Sequence, residues 1–416
     1  IMAPDLSIVE FHSDDRKYRC GYCKKTDSII RHGMWAHQML VEDYQCLIDR
    51  GWRRSGSYCY KPTMNETCCP MYTIKCAALE FRLAKSHKKI LKQMHRFLAT
   101  GDRKRLSIGD SNSSLDQEIN TRVCGKAKFK RRERKKQKLI SQGMTPEEAE
   151  ALMKENRLKK SQPKGVEDFV NAPMPENPAH RLEVRTISSS ELSSCKEAEY
   201  EIYQKYQTTI HKDPPERCSM RQFTRFLVDS PLQFKLGNGS PPKGYGSFHQ
   251  QYWLDGKLIA VGVLDILPKC DLTLGTYGSL REVMFVRSLQ AFSPSLRFYY
   301  MGYYIHSCPK MRYKANLSPS FLLCPETYGW FPIKECLAKL DQLESSQYCR
   351  FNPDLDATDT EGETDLGKVS ISCLLRILEA HLGSVVCPEE VEKIKEYAML
   401  VGKKCANRML LLRTNN

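Results

Sequence analysis

Apolar residues along this chain gather into short helical and strand-like patterns near its start and again through its second half, and they thin out between. Val41, Tyr44, Leu47 and Ile48 recur at helical spacing with Gly51 placed as a C-cap, so a short amphipathic helix is expected there. Residues 57–62 read as a strand that stops at Pro62, and Tyr72 to Cys76 as another. Ser86 to Leu98 has the pattern of a basic helix with Ile90, Met94 and Phe97 on one face.

In the second half, Leu182 to Ile187 alternates like a first strand, and Ser190 to Ile210 reads as helical with tyrosines on one side. Ser247 to Pro268 reads as two strands joined by Asp255-Gly256, a dipeptide that tolerates the positive φ of a tight hairpin turn. Thr276 to Ser288 has helical periodicity, and Leu296 to Ile305 is strand-like and runs into the polar cluster His306 to Lys314. A last helix is expected from Pro388 to Val401. Elements interleaved in this order predict an α/β protein of the α+β kind with a central mixed sheet.

The middle stretch changes composition from Gly101 to Pro178. Lys126, Lys128, Lys130, Arg131, Arg132, Arg134, Lys135, Lys136 and Lys138 crowd into one segment almost without apolar residues. Such a segment buries no core face: it is a solvated helix or an arm that orders on phosphate, with a nuclear-localisation or solubility tract as the plainer reading. Thr145 before Pro146 then marks a helix start. Three units follow: a Cys-rich N-terminal domain over 1–100, a basic linker and helix over 101–178, and a second large domain over 179–416.

Charge sharpens the picture. Lys and Arg number 64 against 49 Asp and Glu, a net +15, which favours a polyanionic partner: nucleic acid first, an acidic peptide or membrane surface second. Eighteen cysteines spread over 416 residues, with no apolar leader pattern, suggest a reducing compartment. No stretch approaches the roughly 18 uninterrupted apolar residues of a membrane span, so a soluble protein is expected.

The cysteines carry the clearest chemistry. Cys20-Gly21-Tyr22-Cys23 puts two thiols on one tight turn, and Cys68-Cys69 supply two more, so the four suit one metal site. The plainer reading is a set of buried, inert thiols. Trp35, Trp52 and the nearby tyrosines suit either a small core or stacking on bases.

With these residues in view the chain resembles eukaryotic arginyl-tRNA–protein transferases. The resemblance rests on Cys20 to Cys23, Gly33 to His37, Ile48 to Gly56, Asn65 to Pro70 and Ser86 to Lys89. It continues through Asp213-Pro214-Pro215, Phe223 to Leu227, Gly246 to Tyr252, Tyr304 to Lys314 and Leu323 to Thr327. One departure stands out: between Cys270 and Leu272 the family pattern leads one to expect a further aromatic strand, and it is missing.

The resemblance implies an N-acetyltransferase-like acyltransferase domain behind an N-terminal metal-binding domain. It makes Cys20, Cys23, Cys68 and Cys69 the ligands of zinc or of a 4Fe–4S iron–sulfur cluster; by residue type alone, Cys76 or His87 could replace one ligand. It further implies transfer of arginine from arginyl-tRNA to the α-amine of proteins beginning with Asp, Glu or oxidised Cys, which marks them for degradation. The implied partners are tRNA(Arg) and acceptors with acidic N-termini, with no membrane, in cytoplasm and nucleus.

An α-amine with a reference pKa near 8 needs only a modest base to attack an activated ester, so positioning carries much of the rate. No G-x-S-x-G elbow or Cys-His-Asn arrangement points to a covalent acyl-enzyme. His306 or Asp265 is expected to orient or deprotonate the amine, and Lys310 or Arg312, with Tyr313 beside them, to hold an acidic acceptor side chain. Gln250 and Tyr252 are expected at the aminoacyl end, Glu282 on the arginine guanidinium, and the basic run from Lys126 to Lys138 on tRNA phosphates. Two rival readings are an acetyl-CoA enzyme, which lacks a Gly-rich turn opening a helix here, and a non-enzymatic RNA-binding protein with a zinc module.

Overall fold

A computed structural model of the chain describes residues 6–12, 17–102, 124–161, 164–268, 276–343, 347–362, 371–372 and 388–412. Helix α1 (Val41–Ile48) forms as its pattern predicts, burying Val41, Tyr44, Leu47 and Ile48, with Glu42 and Asp43 complementing the dipole of its first turn. Gly51 adopts φ 89° in the turn that follows, which suits a residue without a Cβ. Strands β1 (Ile8–His12), β2 (Arg31–Gln38), β3 (Arg53–Ser55), β4 (Tyr58–Pro62) and β5 (Tyr72–Ala77) complete the first part, followed by α2 (Lys85–Thr100).

Helices α3 (Cys124–Ile140), α4 (Pro146–Ser161) and α5 (Val166–Val170) fill the described part of the middle. Thr145 and Glu148 close a reciprocal cap at the start of α4, the Glu148 amide donating to Thr145 Oγ1 at 3.2 Å and the Thr145 amide to Glu148 Oε2 at 2.9 Å. Arg132 and Lys136 on α3 reach Glu150 on α4 at 3.1 and 2.9 Å.

Beyond them come β6 (Leu182–Ser188), α6 (Lys196–Tyr206), α7 (Met220–Phe223), β7 (Gly246–Leu254), β8 (Lys257–Ile266), α8 (Thr276–Gln290), β9 (Phe298–Tyr304) and α9 (Pro309–Arg312). The chain closes with β10 (Ser320–Leu323), β11 (Trp330–Pro332), α10 (Ile333–Leu340), β12 (Ile371–Ser372), α11 (Pro388–Val401), α12 (Lys403–Arg408) and β13 (Leu410–Leu412). The β7–β8 hairpin turns on Asp255 at φ 51° and Gly256 at φ 79°, the two positive values that a type I′ turn requires. The stretch Ser190 to Ile210, expected as one helix, divides into a 3-10 turn, α6 and a single π turn.

The architecture is mixed helix and sheet, as expected. Three sheets run β12-β13-β1-β2-β4-β3, β11-β10-β5-β9 and β6-β7-β8. Their strands cross the expected boundaries at 100 and 178. Strand β5, from the N-terminal unit, lies between β10 and β9 of the C-terminal unit, and β13 pairs in parallel with β1. One core cluster likewise joins Met34, Tyr44, Leu47 and Trp52 to Phe248, Leu264, Ile266 and Tyr300. The two units therefore fold around a common interior.

A buried ion pair crosses that interior. Arg54 on β3 donates through Nε to Asp265 Oδ2 at 2.9 Å and through Nη2 to Oδ1 at 2.5 Å, with side chains 8% and 7% exposed. Arg54 also donates to Ser247 Oγ at 2.9 Å, and Ser247 to Asp265 Oδ1 at 2.9 Å. Burial alone would lower the Arg54 pKa; the Asp265 charge and hydrogen bonds outweigh it and raise the guanidinium above its ordinary value.

Removing one partner leaves the other charge buried and alone, which costs about 3–5 kcal/mol. Arg54→Met is expected to lower the urea midpoint accordingly, and Arg54→Met with Asp265→Leu to recover most of the loss. A double variant no more stable than the single one would assign the loss to packing instead of the charge.

Candidate functional site

The four cysteines come from two loops that the first sheet holds together. Cys20 and Cys23 sit on the turn between β1 and β2, where Tyr22 and Cys23 amides donate to Cys20 Sγ at 3.3 and 3.5 Å. Such bonds fold the turn back on one sulfur, so that both thiols face the same side. Cys68 and Cys69 sit on the β4–β5 loop, pinned by the Cys68 amide donating to Ser28 O at 3.0 Å. Cys23 and Cys68 sulfurs approach to 3.4 Å, and all four ligand atoms lie within 4.8 Å of one another. Cys20 and Cys69 are buried, and Cys23 is exposed. Cys76 and His87, weighed as replacement ligands, lie outside this group: Cys76 packs in a separate core cluster, and His87 Nδ1 accepts the Ala84 amide at 3.2 Å in the cap of α2.

The C-terminal unit reaches this centre through β9. Between Thr73 and Lys75 on β5 the partner strand steps from Tyr303 to Tyr300, so β9 carries one extra residue, and Gly302 takes φ 67° in the bulge. The bulge frees carbonyls that two cations then satisfy. Lys314 Nζ donates to Met301 O and Tyr303 O at 2.7 and 2.6 Å, and Arg53 Nη2 donates to Gly302 O at 3.1 Å. Burial and the neighbouring Arg53 push the Lys314 ammonium down to about 8, with Cys308 opposing. Downstream of the bulge Tyr303, Ile305, Cys308 and Met311 pack against Cys20 and Cys69, and Ser307 Oγ lies 3.9 Å from Cys69 Sγ.

His306 follows directly. Its Nδ1 is 3.0 Å from Tyr304 Oη, and its Nε2 is 3.1 Å from Asp341 Oδ1. Lys310 and Arg312 are exposed on α9, Arg312 Nε donating to His306 O at 2.9 Å, and among the described residues neither cation meets a carboxylate. Tyr313, half-buried, begins the next turn. The structure thus gathers His306, Lys310, Arg312 and Tyr313 on one loop beside the cysteines.

The other expected site residues lie elsewhere. Asp265, expected as a base, is committed to Arg54 and Ser247 in the third sheet, so both its oxygens are engaged. Gln250 and Tyr252 are buried on β7, the tyrosine donating to Gln250 Oε1 at 2.8 Å. Glu282, expected on a guanidinium, is 1% exposed and accepts from Tyr299 Oη at 2.6 Å, which makes it a core group. Arg132, Arg134, Lys135 and Lys138 are exposed on α3 and Lys136 is half-buried, whereas the side chains of Lys126, Lys128, Lys130 and Arg131 fall outside the described residues, as does the 269–275 segment around Cys270.

Three features escaped the sequence reading. His249 and Glu199 form a wholly buried pair, Nδ1 to Oε2 at 2.5 Å, with His249 Nε2 3.0 Å from Leu227 O. A cleft of about 190 Å³ combines apolar Leu91, Phe169 and Tyr277 with His95, Arg181 and Arg281, a lining that suits a planar group bearing negative charge. Lys61 on β4 is buried, donating to Tyr328 Oη at 2.6 Å, and burial together with the Arg50 charge pushes its ammonium down to about 7 against the pull of Asp359. No local pattern marks any of these, because each depends on residues far apart in the chain.

Two family profiles match: "Arginine-tRNA-protein transferase, N terminus" over residues 18–89 and "Arginine-tRNA-protein transferase, C terminus" over 198–324. Among curated proteins the chain is similar to arginyl-tRNA–protein transferase 1 of Drosophila melanogaster, 39% identical over 98% of this chain and 100% of the fly protein. That match spans 491 positions against 416 residues here, so the fly protein carries stretches without a counterpart in this chain. Arginyl-tRNA–protein transferase 2 of Arabidopsis thaliana is 32% identical over 78% of this chain and 75% of its own length. An aspartate/glutamate leucyltransferase of Acinetobacter baumannii is 26% identical over 38% of this chain and 57% of its own length.

The depressed Lys61 pKa makes stability depend on pH. Unfolding restores the ordinary value near 10.5, so between about 7 and 10.5 the unfolded chain holds a proton on Lys61 that the folded chain lacks, and the Lys61 contribution to stability rises with pH. Lys61→Met is expected to flatten the urea midpoint across pH 7 to 10 while raising it at pH 7. An unchanged slope in the variant would show that Lys61 keeps its ordinary pKa.

Proposed function

The chain belongs to the arginyl-tRNA–protein transferase family, and from that premise we propose that it arginylates acceptors beginning with Asp, Glu or oxidised Cys and thereby marks them for degradation. As a family member it is an aminoacyltransferase with arginyl-tRNA as co-substrate. The acceptor side chain is read by Lys310 and Arg312, and the carrying observation is that both cations project from α9 with no carboxylate partner among the described residues. Charge-assisted contacts of this kind suit a carboxylate or a sulfinate or sulfonate equally.

In the reaction the unprotonated α-amine attacks the ester carbon of the arginyl group, the C–N bond forms, and the C–O bond to the terminal ribose breaks. His306 takes the amine proton and returns it to the departing ribose oxygen, with Tyr304 and Asp341 holding its ring. The cleft edged by Arg181 and Arg281 takes the 3′ end of the tRNA, and the exposed face of α3 takes backbone phosphates. Cytoplasm and nucleus, where charged tRNA and short-lived proteins meet, are the proposed location.

The four thiols fit one metal ion. A tetrahedral ion with metal–sulfur bonds of about 2.3 Å sets its ligands about 3.8 Å apart, in line with sulfurs all within 4.8 Å of one another. A four-iron cube, which places a separate iron under each thiolate, spreads them wider. When bound, a mononuclear zinc-type ion supplies a cross-link between the two cysteine loops. Through Ser307 and Cys308 that cross-link steadies the loop carrying His306 and Lys310.

Two measurements test this reading. Arginine transfer from charged tRNA to a peptide starting with Asp should proceed, and Lys310→Ala should lower kcat/KM on that peptide at least about tenfold, the scale of one lost charge-assisted contact; a normal rate would remove Lys310 from the acceptor site. Metal analysis after anaerobic purification should give one zinc per chain, lost with a fall in Tm in Cys20→Ser. Several irons with acid-labile sulfide per chain would instead assign a cluster.

A further inference from the structure

Two cysteines that the chemistry above leaves unused face each other where α1 packs on α12. Cys46 is half-exposed on α1, and Cys405 on α12 is completely buried. Cys46 packs against the core cluster that contains Cys405, where the two helices meet. Arg408, one turn beyond Cys405, brings Nη2 to 3.7 Å from Cys46 Sγ, while Cys405 Sγ lies 3.7 Å from Asp43 O. Arg408 Nη2 also stands 2.5 Å from Asp43 Oδ1, though without the alignment of a hydrogen bond, and Ser7 donates to Asp43 Oδ2 at 2.6 Å. The guanidinium is therefore held against the accessible sulfur of a thiol pair.

We propose that Cys46 and Cys405 form a peroxide-reactive dithiol that closes to a Cys46–Cys405 disulfide. The Cys46 thiolate attacks one oxygen of a hydroperoxide: an S–O bond forms, the O–O bond breaks, and the leaving alkoxide or hydroxide takes up a proton. Cys405 sulfur then attacks the sulfenic sulfur: the S–S bond forms, the S–O bond breaks, and water departs with the Cys405 proton. Two thiols are oxidised as one peroxide is reduced by two electrons.

The roles follow from placement. Attack requires an accessible thiolate beside a cation, which describes Cys46, and resolution requires a second thiol within reach, which describes Cys405. The neighbouring Cys405 thiol and the Arg408 charge bring the Cys46 thiol down to about 6 despite partial burial and the Asp43 carboxylate. Burial instead holds the Cys59, Cys76 and Cys336 thiols up at about 12, where they stay protonated and inert. Because α12 runs straight into β13, which pairs with β1, the disulfide bolts the C-terminal strand to the N-terminal helix and restricts the unfolded chain.

The test uses the full chain, reduced and then exposed to increasing hydrogen peroxide, alkylated and mapped by mass spectrometry. A linked Cys46–Cys405 peptide is expected at lower peroxide than any loss of free Cys59 or Cys336, with a higher Tm in the linked form. In Cys46→Ser the linked peptide should vanish; in Cys405→Ala oxidation should stop at a Cys46 sulfenic acid that dimedone traps. If Cys405→Ala does not fold, the wild-type map and Cys46→Ser decide alone. Cys46 remaining a thiol, passing to sulfinic acid in the wild type, or pairing with another cysteine would each overturn the proposal.

Discussion

Strand β5 is buried at all six of its positions, and a strand so placed needs hydrogen-bonding partners on both edges because no water reaches its amides and carbonyls. Residues of its own N-terminal unit do not supply them; β9 and β10 do. That requirement ties the cysteine loops to the C-terminal sheet. It brings Cys69, three residues before the start of β5, beside Ser307, which follows β9, so the cysteine centre sits against the loop that bears His306 and Lys310. The Arg54–Asp265 pair repeats the link at the interface with the third sheet.

Much of the local structure was legible in the sequence because short-range physics decides it. Asp255-Gly256 could make little but a tight hairpin turn, Thr145 with Glu148 caps α4, and the apolar spacing from Val41 to Ile48 gives α1 the face it buries. The cysteine centre was legible for the same reason: Cys20 and Cys23 are set by one turn. What failed was long-range. An uninterrupted run such as Tyr72 to Ala77 shows burial on both faces but does not name its neighbours, so the two units looked separate. Asp265 and Glu282 read as chemistry because a carboxylate near a strand or helix end is suggestive; only the fold reveals that Arg54 and Tyr299 already hold them.

Rigidity is distributed accordingly. The wholly buried His249–Glu199 pair fixes α6 against β7, and through Leu227 O it also anchors the π turn that follows α7. Both ring nitrogens of His249 face oxygen atoms, so the pair works as a polar staple whose geometry specifies how these elements dock. By contrast the loop from His306 to Arg312 is secured on its cysteine side and by Arg312, and it leaves its cations outward.

The hairpin of α3 and α4 holds part of its own positive charge in check. Arg132 and Lys136 are not idle in the free protein, since both lean on the exposed carboxylate of Glu150. A polyanion arriving on this face must evict Glu150 before it can take those two cations, and Glu150 stays tethered nearby, ready to reclaim them. Binding of a polyanion here would thus be an exchange, somewhat weaker than the charge count implies. For a catalyst that must shed one spent nucleic acid before accepting the next, such competition would favour turnover over retention.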